Sequence, residues 1–171
     1  DEDTLSAQLG SAHPYIDPEK LYRQITASKE ELTKRRVGPR GRDVLSKLMP
    51  RLIDTILNSE QPLMVLERMS SFIAAIATRT AYLELLLENA SASNQLIKLL
   101  STSPWIYEQL CRHPILLDEL IDPTQLYQVY DKEQYADELR QKLLRVEEDD
   151  LEQQMETLRQ FKNTQQLRIA A

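Results

Sequence analysis

Two histidines, one cysteine and a run of acids are the residues of this chain best equipped for chemistry. His13 and His113 lie far apart, and neither belongs to a His-Glu-x-x-His or Glu-x-x-His pattern. The helix-face spacing that holds zinc or a di-iron centre is therefore missing. His113 precedes Pro114 at a helix junction, where a capping or core role is expected. Cys111 is the only cysteine, which excludes an internal disulfide and any multi-cysteine metal site. It shares a short segment with Trp105, Ile106 and Leu110, the setting of a buried thiol acting as a small hydrophobe. Glu147, Glu148, Asp149 and Asp150 would attract a cation but lack the spacing of a calcium loop. Acids there suit the positive end of a helix beginning at that point. Asp1-Glu2-Asp3 has an Asp-x-Asp-like spacing of carboxylates, with no glycine loop before it. Glycine occurs only at Gly10, Gly38 and Gly41, and no P-loop, dinucleotide fingerprint or Gly-x-Ser-x-Gly elbow is present. No catalytic, cofactor-binding or metal-ligating residue is assigned.

Charge narrows the classes further. The chain of 171 residues carries a net −6, yet Lys20 to Arg51 holds ten basic residues against three acidic ones. That window is +7, which leaves −13 on the remainder. A basic stretch can meet nucleic acid or an acidic protein surface. Only Tyr22 interleaves it with an aromatic ring, and the rest of the chain repels a polyanion, so nucleic acid is not an expected partner. No apolar run is long enough to span a membrane, and the first residues have neither the basic start nor the apolar block of a signal peptide. A cytoplasmic location is expected.

The elements that must carry these residues are helices. Prolines 18, 39, 62, 104, 114 and 123 each stand where a helical pattern begins, the position at which a missing N–H costs least. Asp17, Gly38, Ser103 and Asp122 precede four of them as N-caps. Apolar spacing predicts helices over 18–36, 39–58, 62–77, 81–87, 92–101, 104–112, 114–121, 123–130 and 132–145, with a last one from 147 towards 169. Pro50 interrupts the second as a kink or short break. The runs 81–87 and 95–100 are expected at the centre of the core, and Glu138 and Lys142 form a pair four apart. Strand-like alternation is nowhere sustained. The fold class is all-α: long helices first, short ones joined by tight proline-punctuated turns later, and a long helix at the end.

Two stretches go beyond class. One is Ser103-Pro-Trp-Ile-Tyr-Glu-Gln-Leu-Cys-Arg-His-Pro-Ile-Leu-Leu-Asp-Glu-Leu-Ile-Asp-Pro123. The other runs from Leu144 to Ala171 and contains Asp149-Asp-Leu-Glu-Gln-Gln-Met155 and Gln165-Gln-Leu-Arg-Ile-Ala-Ala171. Together, and in this order, they closely resemble the bacterial bifunctional glutamine synthetase adenylyltransferase/adenylyl-removing enzymes; Arg40 to Pro50 looks like the family's equivalent ahead of them. The resemblance covers roughly residues 37–171 and leaves 1–36 neutral. It implies a parent with two nucleotidyltransferase domains joined by helical regions. One half removes AMP from a tyrosine of glutamine synthetase; the other adds it from ATP with Mg²⁺. Glutamine and the PII signal protein relay nitrogen status. The resemblance places this chain at the helical start of the adenylylating half, with residues 1–17 a poorly structured lead-in. Residues 18–171 would form an interdomain and regulatory segment ahead of a nucleotidyltransferase domain in cis. The family's glycine-rich element and Asp-x-Asp pair are not found here, so no family catalytic residue is carried over. An independent helical protein–protein interaction scaffold is the alternative.

The last helix carries its own expectation. Leu151, Met155, Leu158 and Phe161 form one stripe, from which Leu167 points away by about 160° at 3.6 residues per turn. No glycine, asparagine or proline ends the pattern. The stripe is expected to pack inward. The final turns, from about Gln165, are expected to fray for want of a neighbour supplied by the parent.

Overall fold

The computed structural model describes residues 16–171. Nine α-helices and one 3-10 helix occupy most of them, and no strand occurs among the described residues. We number the α-helices α1 (Pro18–Lys34), α2 (Pro39–Leu57), α3 (Pro62–Ile76), α4 (Thr80–Glu88), α5 (Ala90–Thr102), α6 (Pro104–Arg112), α7 (Pro123–Leu126), α8 (Lys132–Leu143) and α9 (Leu151–Ala170). The 3-10 helix, Pro114–Leu120, lies between α6 and α7.

Proline and its preceding cap set most of the starts. Asp17, Ser103 and Asp122 each accept a hydrogen bond from a backbone N–H of the helix they open. Gly38, Gln61 and His113 stand in the same place and contribute no side-chain cap. Asp131 and Gln134 form a reciprocal capping box at α8, and Asp150 caps α9 through the Gln153 N–H at 2.9 Å. Pro50 sits inside α2 without breaking it. Gly41 marks a close approach: a Cβ there would stand 2.8 Å from Val37 Cγ1 and 3.3 Å from Thr80 Oγ1. A bare backbone lets the start of α2 lie against that of α4.

The core is organised around α3. Val65, Leu66, Met69, Phe72, Ile73 and Ile76 are all at most 1% exposed. A helix apolar on so much of its circumference must be covered on several sides, and α1, α2, α4, α5 and α6 all pack on it. Three polar ties hold two of those neighbours, α1 and α5. Gln24 of α1 donates to the Leu63 carbonyl at 2.9 Å, and the Ser28 and Ser70 hydroxyls meet at 2.7 Å. Arg68 of α3 donates to the Leu100 carbonyl, one of the otherwise orphan acceptors at the end of α5. Leu83 and Leu86 of α4 and Leu96, Leu99 and Leu100 of α5 fill the other side. The predicted centrality of 81–87 thus holds for Leu83 and Leu86, while Leu85 and Leu87 are only partly covered.

Three expectations need correction. Residues 114–120 form a 3-10 helix where an α-helix was expected, since Leu116, Leu117 and Leu120 bury equally well in either winding. The helix expected over 123–130 stops at Leu126. The last helix is reversed relative to its reading: Leu151, Met155 and Leu158 are 71%, 50% and 38% exposed, while Leu167 is fully buried with Thr164, Gln165 and Arg168 around it. The end expected to fray is the end that is packed, against the 3-10 helix, α6 and α7. Neither the burial of Leu167 nor that of the three polar side chains beside it was expected.

Leu86→Ala should lower unfolding stability by about 2–5 kcal/mol, as for other fully buried leucines. Leu151→Ala should change it by less than about 0.5 kcal/mol. Urea titration followed by far-ultraviolet circular dichroism distinguishes the two, and equal losses would contradict the described core.

Candidate functional site

None of the residues singled out for chemistry converges with another. Cys111 is half-buried at the end of α6 and packs against the core. Burial raises its thiol pKa, and a side-chain hydrogen bond with Tyr107 offsets this only in part. That is the environment of an inert thiol. Trp105, on the same helix, is 39% exposed and contributes little to covering the cysteine. His113 is half-buried between α6 and the 3-10 helix, where its carbonyl accepts from the Leu116 N–H at 3.0 Å. Its ring caps neither helix. His13 and Asp1-Glu2-Asp3 lie outside the described residues. Glu147, Glu148 and Asp149 are exposed, and Asp150 is committed to capping α9. Among the described residues no three His, Cys, Asp or Glu side chains are gathered as a metal would need.

A different constellation is built from residues that sequence patterns did not single out for chemistry. Arg168 of α9 is 6% exposed and donates to Glu119 Oε2 through Nε at 3.0 Å and Nη2 at 2.8 Å. Glu138 of α8 lies 3.7 Å from Nη1 and accepts from Gln165 Nε2 at 3.0 Å. The Tyr130 ring stacks on the guanidinium, 5.5 Å from its centroid. Burial opposes the charge on Arg168. The hydrogen bonds and charge of Glu119, reinforced by the charge of Glu138, outweigh it and hold the guanidinium above its ordinary pKa. One cation thus joins the 3-10 helix, the 127–131 connection, α8 and α9. Glu138 also meets Lys142 at 3.8 Å, the pair the spacing predicted, but its inward bond to Gln165 is the one that crosses between helices. Asp118, beside Glu119, has its pKa raised by burial and by that neighbour's charge.

The clamp leaves most of the α8–α9 hairpin standing clear of the body. Helix α8 has no buried residue; α9 is the helix it packs on most, and its Tyr135 ring meets Tyr130 edge-on at 5.9 Å. Leu151, Met155 and Leu158 follow one another at i, i+4 and i+7 on α9, all facing outward within about 60° of arc. Leu144, at the turn, is 78% exposed beside half-buried Val146 and a shallow groove reaching Leu139 and Leu143. These side chains form an apolar strip on an otherwise polar hairpin.

Comparison with known proteins gives this geometry its context. Residues 93–171 match the model of the glutamate-ammonia ligase adenylyltransferase family. A bifunctional glutamine synthetase adenylyltransferase/adenylyl-removing enzyme of Shewanella oneidensis is 54% identical over 160 residues, 94% of this chain and 17% of the relative. The enzyme so named from Shewanella woodyi is 54% identical over 91% of this chain and 16% of its own length. That from Idiomarina loihiensis is 46% identical over 99% of this chain and 18% of its own. The chain spans about a sixth of the length of these relatives.

Arg168→Ala should destabilise the chain by about 2–3 kcal/mol, because Glu119 and Glu138 would keep partly buried carboxylates without their cation. Hydrogen exchange should show the loss concentrated in α8, α9 and the 3-10 helix, with α3 amides retaining their protection. Uniform loss across both regions would show that the clamp is not local. Cys111 should react with a bulky disulfide reagent far more slowly in the native chain than in denaturant. Equal rates would refute its packing.

Proposed function

This chain belongs to the glutamate-ammonia ligase adenylyltransferase family, and we propose that it serves there as a non-catalytic helical segment that positions a nucleotidyltransferase domain of the parent. The parent would transfer AMP from ATP, with Mg²⁺, to a tyrosine of glutamine synthetase and remove it again. Glutamine synthetase and the PII signal protein would be partners of the whole enzyme, and the cytoplasm its location. Residues 18–171 would form one interdomain unit, preceded by residues 1–17 as a lead-in. The sequence on which this rests is the Ser103–Pro123 and Leu144–Ala171 pair, both inside the matched family region.

The observation that carries the reading is the exposed strip Leu151, Met155 and Leu158 on a hairpin whose far end is fixed by Arg168. Three apolar side chains held outward are useful only against another surface. Adenylyl transfer depends on placing the attacking hydroxyl and the nucleotide within a fraction of an ångström. A domain docked on this strip would inherit its orientation from the rigid body below. The segment would therefore act on rate through geometry, while the metal-binding carboxylates belong elsewhere in the parent.

In the full-length parent, the combined substitution Leu151→Ser, Met155→Ser and Leu158→Ser should slow ATP-dependent labelling of glutamine synthetase by about tenfold or more. The same substitutions in this chain should leave its unfolding midpoint nearly unchanged, since the three side chains are exposed. This chain alone, given ATP, Mg²⁺ and glutamine synthetase, should label nothing above a no-protein control. An unaltered rate in the substituted parent refutes the docking role. Labelling by the isolated chain refutes the non-catalytic reading.

A further inference from the structure

Helices α1 and α2 both rest on α3, yet they touch each other little. Between them runs a trough of about 650 Å³ with Leu66 of α3 at its floor. Its walls repeat at helical intervals: Ile25 and Leu32 on α1, Leu45, Met49 and Ile53 on α2. The apolar part is about 12 Å long, eight residues of helical rise, which matches two to three turns of a helix laid lengthwise.

The rim has one sign. Lys29, Arg35 and Arg42 line it, and no acidic residue does. Arg35 is engaged by Glu31 at 2.8 Å on its own helix. Lys29 and Arg42 have no carboxylate within ion-pair distance among the described residues and are exposed. The polar side chains of the walls are spent locally: Thr33 donates to the Lys29 carbonyl, Ser46 to the Asp43 carbonyl, and Ser28 to the Gln24 carbonyl. The floor therefore offers no convergent donors or acceptors of the kind that orient a sugar, a nucleotide or an amino acid. What remains is an elongated apolar channel bordered by free cations. This is the complement of an amphipathic helix with apolar anchors at i, i+4 and i+7 and acids on both flanks. It also gives a use to Lys29 and Arg42, two of the five basic residues of the +7 window that have no acidic partner among the described residues.

We propose that the trough between α1 and α2 docks an acidic amphipathic helix of a protein partner, with Lys29 and Arg42 pairing its flanking carboxylates. Apolar anchors over Leu45, Met49 and Ile53 supply the contact area, and the two cations set the sign of the partner and its orientation. The site is separate from the α9 strip: α1 and α2 pack on the α3 side of the body and have no substantial contact with α8 or α9.

The probe is a fluorescent 16-residue designed peptide with leucines at i, i+4, i+7 and i+11, glutamates on both flanks and alanines elsewhere. Anisotropy titration against this chain should show saturable binding that weakens with added salt. A peptide with lysine in place of every glutamate should bind at least about tenfold more weakly, and so should the acidic peptide to the Lys29→Glu, Arg42→Glu variant. Both substituted residues are exposed and unpaired, so the variant's thermal midpoint should match that of the parent sequence. A photoreactive group in the peptide should cross-link to Met49 or its neighbours in the trough. Equal binding of the lysine peptide, unaltered binding by the variant, or cross-links confined to α8 and α9 would overturn the proposal. So would saturable binding of decanoate in the trough without any of the peptide. A salt-sensitive dimer of this chain that hides Met49 in the absence of peptide would overturn it in favour of self-association.

Discussion

The hairpin that gives this chain its most exposed apolar surface depends on a single buried cation. Without a strong tie at its base, α8 would be held mainly by α9, and α9 itself buries only one apolar side chain, Leu167, against the body. One leucine contributes about 2–3 kcal/mol of burial, too little to fix twenty residues of helix in a set direction. The guanidinium of Arg168 supplies direction as well as energy. Its planar donors engage Glu119 from the 3-10 helix, its third nitrogen faces Glu138 across the hairpin, and Tyr130 covers its flat side. Arginine is suited to this because its donors are fixed in a plane, whereas a lysine ammonium would satisfy the charge and leave the angle loose.

This arrangement explains why α9 divides into two halves of opposite character. The first half displays Leu151, Met155 and Leu158 among acids and glutamines; the second buries Thr164, Gln165 and Arg168. Hydrophobic periodicity reads the first half as the inward one, since it counts only apolar residues. Buried polar side chains carry no such signature, and the pairing of Arg168 with Glu119 spans 49 residues of sequence. Leu167, out of phase with the stripe, was the one local sign that a second face existed, and it pointed to the face that is in fact buried. The resemblance of Leu144–Ala171 to a known family captured the segment as a unit without indicating which side faces in.

Elsewhere the local rules sufficed. Proline at the first helical position, with Asp17, Ser103 or Asp122 ahead of it, fixed the starts of α1, α6 and α7 to the residue. The apolar positions of α2 and α3 were legible because they recur at helical spacing, on α3 around much of its circumference. The winding of 114–120 was not, since a seven-residue segment between two turns gives i+3 and i+4 bonding nearly equal standing. The trough between α1 and α2 was not legible in the sequence. It exists because two helices share a third as support and diverge from each other, a relation that no single helix's pattern contains.

The body between the two surfaces is better suited to holding them at a fixed separation than to passing a signal between them. Coupling requires an element with two arrangements whose balance each surface shifts. From α3 through α6 the core leucines, isoleucines and Phe72 are fully buried, and a close-packed interior of that kind resists a second packing. The trough is walled by α1 and α2 on one side of this stack, and the strip is carried by α9 on the other. The element with weaker holding is the 3-10 helix, whose bonding geometry is poorer than that of an α-helix and whose Glu119 carries the hairpin's main tie. A change in the hairpin's angle would therefore have to pass through the Glu119–Arg168 pair, while an occupant of the trough would meet α1, α2 and the Leu66 floor of α3. The physical expectation is two independent docking surfaces on one rigid spacer.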